Sequence, residues 1–467
     1  MYTFCKTSLM VIFFLAFFVA GNSQHIKVNA WITDPGNSVF FEKQAQLPLS
    51  RKPTGKKTVI SIDDKKQFQP MDGFGFALTG GSAMHIVKMS AGSRARLLKK
   101  LFGTGGNDIG ASYLRVSIGA SDLNDHVFSY DDLPDGQTDT AMHHFDLGPD
   151  RKDVIPVLKE ILAINPAIKI MGSPWSPPVW MKTNNDTRGG SLKPGYYHAY
   201  AEYFVRYIRD MKKEGIRIDA ITVQNEPLHP GNNPSLLMLA PDQAIFIKDH
   251  LGPAFKAAGI KTKIIIYDHN ADRPDYPISV LNDPEAKKYI DGSAFHLYGG
   301  TIDALSEVHN AHPDKNLYFT EQWVGAPGDF KKDIPDHIRD LIIGATRNWS
   351  RTVIEWNLAS DPAYNPHTDR GGCDRCLGAV TIDKDKVTLN PAYYIIAHAA
   401  KFVRPGSVRI ASDMGDGLPN VAFKSPLGKI VIVLLNESKE EKIFEIRSKN
   451  NSFTTTLNPG AVGTYSW

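Results

Sequence analysis

Asp219-Ala-Ile-Thr-Val-Gln-Asn-Glu-Pro-Leu228 sets a short apolar run directly before a carboxylate, and Asn316-Leu-Tyr-Phe-Thr-Glu-Gln-Trp323 repeats the arrangement further along the chain. Each apolar run reads as a buried strand, so each delivers a glutamate, Glu226 or Glu321, to a strand's C-terminal end. Pro227 supports an end to the first strand there, because proline has no N–H for the ladder. In a (β/α)8 barrel the C-terminal strand ends carry the active site. Two carboxylates facing one cleft can split a glycosidic bond, one as nucleophile and one as an acid that later serves as base.

Working outward, strand-like runs alternate with amphipathic stretches from Met71 on, the signature of a parallel α/β architecture. Eight strand candidates run over 73–78, 113–117, 168–172, 220–224, 263–267, 292–296, 317–320 and 352–356. Helices are expected over 93–102, 153–164, 196–214, 242–258 and 336–350. Eight strands is the barrel number, and it puts the two glutamates after the fourth and seventh. Residues 25–68 and the tail after Phe402 instead read as short β pieces, among them Ile430-Val-Ile-Val-Leu-Leu435. Neither end has enough strands for a two-layer core alone. The expectation is therefore a TIM barrel over 70–402 with an all-β, antiparallel sandwich as side domain, built from both chain ends, 24–69 and 403–467.

The remaining 1–23 read as a leader: Lys6, the apolar run from Leu9 to Ala20, then Gly21-Asn-Ser23. The run is short for a membrane span, which needs about 20 residues. A secreted, periplasmic or cell-surface protein is expected, with no stable membrane insertion. A net charge of +3 over 467 residues, with no long basic run, argues against nucleic acid as a partner. Cys5 precedes the apolar run, which leaves Cys373 and Cys376. A local disulfide, a redox pair or half of a metal site would use that spacing. Export favours the disulfide, and no second cysteine pair completes a zinc site. No metal and no cofactor are expected.

Other strand-end residues supply candidates, each with a plainer alternative. Arg115, in the second strand, is a cation that would lower the pKa of Glu321, leaving Glu226 to be raised by its neighbour's charge. Asn225 would hold a sugar hydroxyl, or simply turn the chain. Asp122 would grip two sugar hydroxyls, or make an Asx-turn. Trp175 and Trp180 sit in a proline-stiffened loop, as sugar platforms or as plugs of the barrel mouth. His296, Tyr298 and Trp356 fall in the same ring of strand ends; for His296 the alternative is a satisfied structural group.

Asp72-Gly-Phe-Gly-Phe-Ala-Leu-Thr-Gly80, Leu114-Arg-Val-Ser-Ile-Gly-Ala-Ser-Asp122, Ser173-Pro-Trp-Ser-Pro-Pro-Val-Trp-Met-Lys-Thr-Asn184, Gln224-Asn-Glu-Pro227, His296-Leu-Tyr298, Thr320-Glu321 and Glu355-Trp-Asn-Leu358 together resemble glycoside hydrolase family 30, over about 70–400. The resemblance implies a retaining β-glycosidase with Glu226 as acid/base and Glu321 as nucleophile. It implies sugar contacts at Asp122, Trp175, Asn225, Tyr298 and Trp356. The family includes endo-β-1,6-glucanases and glucosylceramidases, so a β-glucan or a glycolipid is the expected partner. Between Asn357 and Thr381 no apolar loop suited to a membrane lipid is evident, which favours β-1,6-glucan. A xylan or fucose-type glycan is a further alternative. A catalytically silent sugar-binding protein is a more distant one, since both glutamates and Asn225 are present.

Overall fold

Strands covered on both faces are apolar along their whole length, and Gly73–Leu78 and Tyr113–Ile118 are buried at every position. They belong to a closed barrel in the computed structural model of the chain, which describes residues 1–2, 27–50, 55 and 58–467. Apart from residues 1–2, the leader expected over 1–23 lies outside the described residues. The barrel strands are β1 (Gly73–Leu78), β2 (Tyr113–Ile118), β3 (Lys169–Pro174), β4 (Ala220–Thr222), β5 (Lys263–Ala271), β6 (Ile290–Gly300), β7 (Asn316–Glu321) and β8 (Ser350–Glu355). They pair in chain order, all parallel, and β8 closes on β1 from Thr352 opposite Gly73 to Glu355 opposite Phe76.

A layer of side chains fills the barrel: Tyr113, Met171, Ala220, Ile265, Ala294, Tyr318 and Ile354, one from each strand but β1. The first strand passes Gly75 close to this layer, where a Cβ would lie 1.8 Å from the Tyr113 carbonyl oxygen. Only glycine allows so close an approach. The β4 ladder stops at Thr222, short of the expected Gln224. The Gln224 side chain instead donates to the carbonyls of Trp175 and Asn225, pinning the chain just before Glu226.

The expected helices are present over Ala91–Phe102, Val154–Ile164 and Tyr197–Lys213, and the two later ones carry a π-helical stretch, Ile247–Leu251 and Ile338–Ala345. Helices Gly80–Lys88, Asp275–Asn282, Ala304–Ala311 and Pro391–Ala400 were not expected. The first opens on two glycines, and the Thr79 hydroxyl caps it by accepting from the Ser82 N–H at 3.1 Å. The last is buried on nearly all sides, so it has no amphipathic period to read.

Both chain ends build one ten-stranded sheet that wraps its own core of Val28, Ile60, Ile432, Phe444 and Tyr465. Lys27–Asp34 pairs with Val462–Ser466, and the long strand Val59–Pro70 pairs with Val408–Ser412 on one side and Lys442–Ser448 on the other. The last pairing is parallel, which corrects the all-antiparallel expectation. Twelve residues let Val59–Pro70 reach both halves of the sheet. A bridge between Ser50 and Ser452 draws the sheet's two ends together. His398, on the helix Pro391–Ala400, ties barrel to sandwich through Thr33 and Thr464.

Candidate active site

Arg115 rises from β2 into the barrel mouth, fully buried, and organises the site through four hydrogen bonds. Its Nη1 donates to Glu321 Oε2 at 2.6 Å, and its Nη2 donates to Asn225 Oδ1 at 2.7 Å and Asp268 Oδ2 at 2.8 Å. Its Nε donates to Ser173 Oγ at 3.1 Å. The guanidinium lies 4.9 Å from the ring centre of Trp175, which stacks on Trp356 with centroids 5.4 Å apart. Five strands thus converge on one cation.

Glu321 ends β7 and also accepts from Tyr298 Oη at 3.0 Å. Glu226 follows β4 in a left-handed conformation, φ 44°, held by its N–H on the Asp268 carbonyl at 2.9 Å. Such a conformation is strained for a non-glycine residue and has to be enforced by its surroundings. One carboxylate oxygen of each glutamate and one His296 nitrogen lie within 4.8 Å of one another. His296 Nδ1 is 3.2 Å from Glu226 Oε1, and Nε2 is 3.2 Å from Asp268 Oδ1.

His296 has both ring nitrogens engaged and is closed to solvent, so it positions Glu226 instead of touching sugar as expected. Tyr298 is 40% exposed at the mouth. Trp175 and Trp356 are buried, and among the described residues the Trp175 Nε1 has no hydrogen-bond partner. Trp180 is fixed by its Nε1 donating to the Asp131 carbonyl at 3.0 Å, at the wall of a neighbouring cavity. Asp122 is buried within electrostatic reach of both glutamates, and its carboxylate accepts from the backbone N–H of Cys373. Cys373 and Cys376 form the disulfide.

Charge balance decides how these groups ionise. Asp268 is buried, yet Arg115 and His296 hold it far below the usual carboxylate range. Against the cost of burial, the carboxylates of Glu321, Asp268 and Glu226 raise His296 to about 9. Burial works against the charge of Glu226, but the adjacent His296 holds its pKa below the ordinary value. Burial raises Glu321, outweighing the pull of His296 and Arg115. The order is the reverse of the expectation, because the sequence reading counted Arg115 and left out the imidazolium. Two cations, Arg115 and His296, thus face the three carboxyls of Asp268, Glu226 and Glu321. Burial and the two glutamates push Asp122 up to about 7.

Asp268 escaped the sequence reading, which ended the fifth strand at Tyr267. β5 runs on to Ala271 through two left-handed residues, Tyr267 and Asp268, with φ 73° and 62°. The signal was available: Asp268 directly follows an apolar run at a strand end, as Glu226 and Glu321 do. Thr320 Oγ1 donates to Asp268 Oδ1 at 2.6 Å and Thr222 Oγ1 to Oδ2 at 2.7 Å, so every direction around this carboxylate is satisfied.

Residues 71–403 match the glycosyl hydrolase family 30 TIM-barrel domain, and residues 406–465 match the family's β-sandwich domain. The chain belongs to glycoside hydrolase family 30. It is a glycosidase of that family. An endo-1,6-β-D-glucanase of Aspergillus fumigatus is 35% identical over 404 residues, covering 81% of this chain and 81% of the relative. The lysosomal acid glucosylceramidase of Mus musculus is 32% identical over 444 residues, covering 89% and 84%. The solved endo-β1,6-glucanase BT3312 superposes with a TM-score of 0.87 at 34% identity, over 94% of this chain and 99% of that structure. Among the described residues no helix is long and apolar enough to cross a membrane.

Proposed function

We propose that the protein is a retaining endo-1,6-β-glucanase. The observation that carries the retaining mechanism is the approach of Glu226 and Glu321, with an oxygen of each within 4.8 Å. Retaining enzymes hold their carboxyls about 5–5.5 Å apart, and inverting ones need about 6.5–9.5 Å to admit a water. Glu321 attacks the anomeric carbon as a carboxylate, which its two donors suit, Arg115 at 2.6 Å and Tyr298 at 3.0 Å. Glu226 acts as the acid and gives its proton to the leaving glycosidic oxygen. Glu226 then takes a proton from water as that water releases the sugar from Glu321. Asn225, fixed by Arg115, presents its amide to the sugar beside the bond that breaks.

The glucan substrate is supported by the glucanases that resemble this chain most among the relatives named above. It is also supported by a cavity of about 760 Å³ on the loops after β2 and β3, whose walls include Ser129, Asp132, Gln137, Ser176 and Lys193. Apolar side chains, among them Phe128, Leu133, Val179, Trp180 and Tyr196, share those walls, and aromatic faces beside polar groups suit a sugar ring. Export is part of the reading, supported by the apolar leader and the disulfide; amino-terminal sequencing of protein from the culture medium tests it.

The deciding experiment is product analysis on soluble β-1,6-glucan, with glucosylceramide in detergent alongside. Short oligosaccharides with little early glucose are expected, and NMR of the first product should show the β-anomer. Glucose released from the lipid alone would replace the glucan assignment, and a first α-anomer would overturn retention.

A further inference from the structure

The long connection between Ile118 and Val154 carries a second cluster of ionisable groups, apart from the catalytic carboxyls. Asp131, Asp139 and His144 each offer one ligand atom, and these atoms lie within 4.8 Å of one another. Local structure builds the cluster. The Asp132 carboxylate accepts from the Ser129 N–H and hydroxyl at 2.8 and 2.6 Å, which turns the chain ahead of Asp131's neighbours. Trp180 Nε1 holds the Asp131 carbonyl at 3.0 Å. Met142, buried and left-handed at φ 56°, closes a turn that returns His144 to Asp139. Asp139 Oδ2 then accepts from the His144 N–H at 2.6 Å and lies 3.1 Å from its Nδ1.

Asp131 is the feature these contacts leave unexplained. It is 1% exposed, and among the described residues neither of its carboxylate oxygens has a hydrogen-bond partner. Burying a carboxylate without partners is among the most costly arrangements in a protein. A cation bound between Asp131 and Asp139 would remove that cost. We infer that Asp131, Asp139 and His144 form a binding site for a divalent cation, and that Zn²⁺ is the ion the donor set fits.

The donors decide the ion. Two carboxylate oxygens alone would suit a hard cation such as Ca²⁺, but an imidazole nitrogen favours a borderline one. Zinc bonds of about 2.0–2.2 Å place tetrahedral ligands roughly 3.3 Å apart. Asp139 Oδ2 and His144 Nδ1, 3.1 Å apart, already have that spacing, and Asp131, within 4.8 Å of both, would close in on the ion. His144, 69% exposed at its side chain, leaves a path for the ion and room for a water as fourth ligand. Ser129, Asp132 and Gln137 of the same loop line the 760 Å³ cavity. A bound ion would therefore fix one wall of that cavity, at a distance from the reacting bond.

The test uses untagged, chelator-treated full-length protein with ZnCl2, and with MnCl2 and CaCl2 as comparisons. Calorimetry should show one Zn²⁺ per chain, and saturating zinc should raise the thermal midpoint by about 2 °C or more. Asp131→Asn and His144→Ala should each abolish both effects. Metal-free Asp131→Asn should unfold no earlier than wild type, because it loses a buried charge and no hydrogen bond; that separates ion binding from a purely structural role. Glu226→Gln should still take up its zinc, which separates this site from the catalytic trio. Zinc binding that survives in Asp131→Asn, no saturable heat in wild type, or a response to calcium alone would each overturn the assignment.

Discussion

Arg115 and Asp268 form an ion pair at 2.8 Å with both side chains wholly shut off from solvent. Asp268 is also the group that faces His296, so it links the cation beside Glu321 to the cation beside Glu226. Asp268→Asn removes the charged partner that Arg115 and His296 share. Removing one partner of a buried pair costs about 3–5 kcal/mol. Urea unfolding should show a loss of that order, and kcat should fall roughly 10²-fold. A variant with wild-type stability would mean that Asp268 does not hold the cluster together.

Glu321→Gln keeps the shape of the side chain and removes the nucleophile. Turnover should fall by about 10³-fold or more, with the circular dichroism spectrum and thermal midpoint little changed. A slow substrate with a good leaving group should label wild type by one sugar mass, and should leave this variant unlabelled.

Glu226→Ala removes the proton donor and leaves Glu321 in place. Natural glucan should lose far more rate than an aryl glycoside whose leaving group needs no proton. Added azide should restore part of the aryl glycoside rate by entering the space of the lost carboxyl. Equal losses on both substrates would remove Glu226 from the acid/base role.

Asp122, pushed up to about 7 by burial and the two glutamates, makes stability depend on pH. Between about pH 4 and 7 the folded chain keeps a proton on Asp122 that the unfolded chain has lost. Stability from this group is therefore greatest near pH 4 and falls as pH rises through 7, by up to about 4 kcal/mol. Asp122→Asn should be flat over that window. Urea unfolding of both proteins at pH 5 and pH 8 checks the sign: the variant should gain on wild type at the higher pH.

The disulfide between Cys373 and Cys376 sets the loop whose Cys373 N–H donates to Asp122. Replacing both cysteines by serine should loosen that donor. We expect KM on oligosaccharides to rise several-fold with kcat little altered. A fall in kcat at constant KM would place the loop's effect on the chemical step instead.

All eight barrel strands were legible because a strand buried on both faces must be apolar throughout, and the glutamates were legible because they end two of those runs. The pairing of Arg115 with Glu321 could be anticipated from the parallel register, which brings neighbouring strand ends to one mouth. Asp268 could be found at the end of its apolar run, but its role could not, because β5 continues through two left-handed residues, a backbone path that no apolar pattern records. The ionisation order of Glu226 and Glu321 was hidden for a related reason. It depends on His296, and nothing in the spacing of His296 shows that both its nitrogens point at carboxylates. The helix Gly80–Lys88 begins with residues of poor helical propensity and is held by its cap and by packing, which are not local signals.

The pairing of Lys27–Asp34 with Val462–Ser466 has a consequence for how the protein is made. The first of these strands leaves the ribosome well before the second. The earlier strand must wait, one edge unpaired, while the whole barrel is synthesised. Joining the two closes a loop from residue 34 to residue 462, and the entropic cost of closure grows only with the logarithm of that length. The cost in time is greater, because such distant contacts form slowly. Until the sheet is completed, the earlier strand presents an open edge, and open edges invite pairing with other chains.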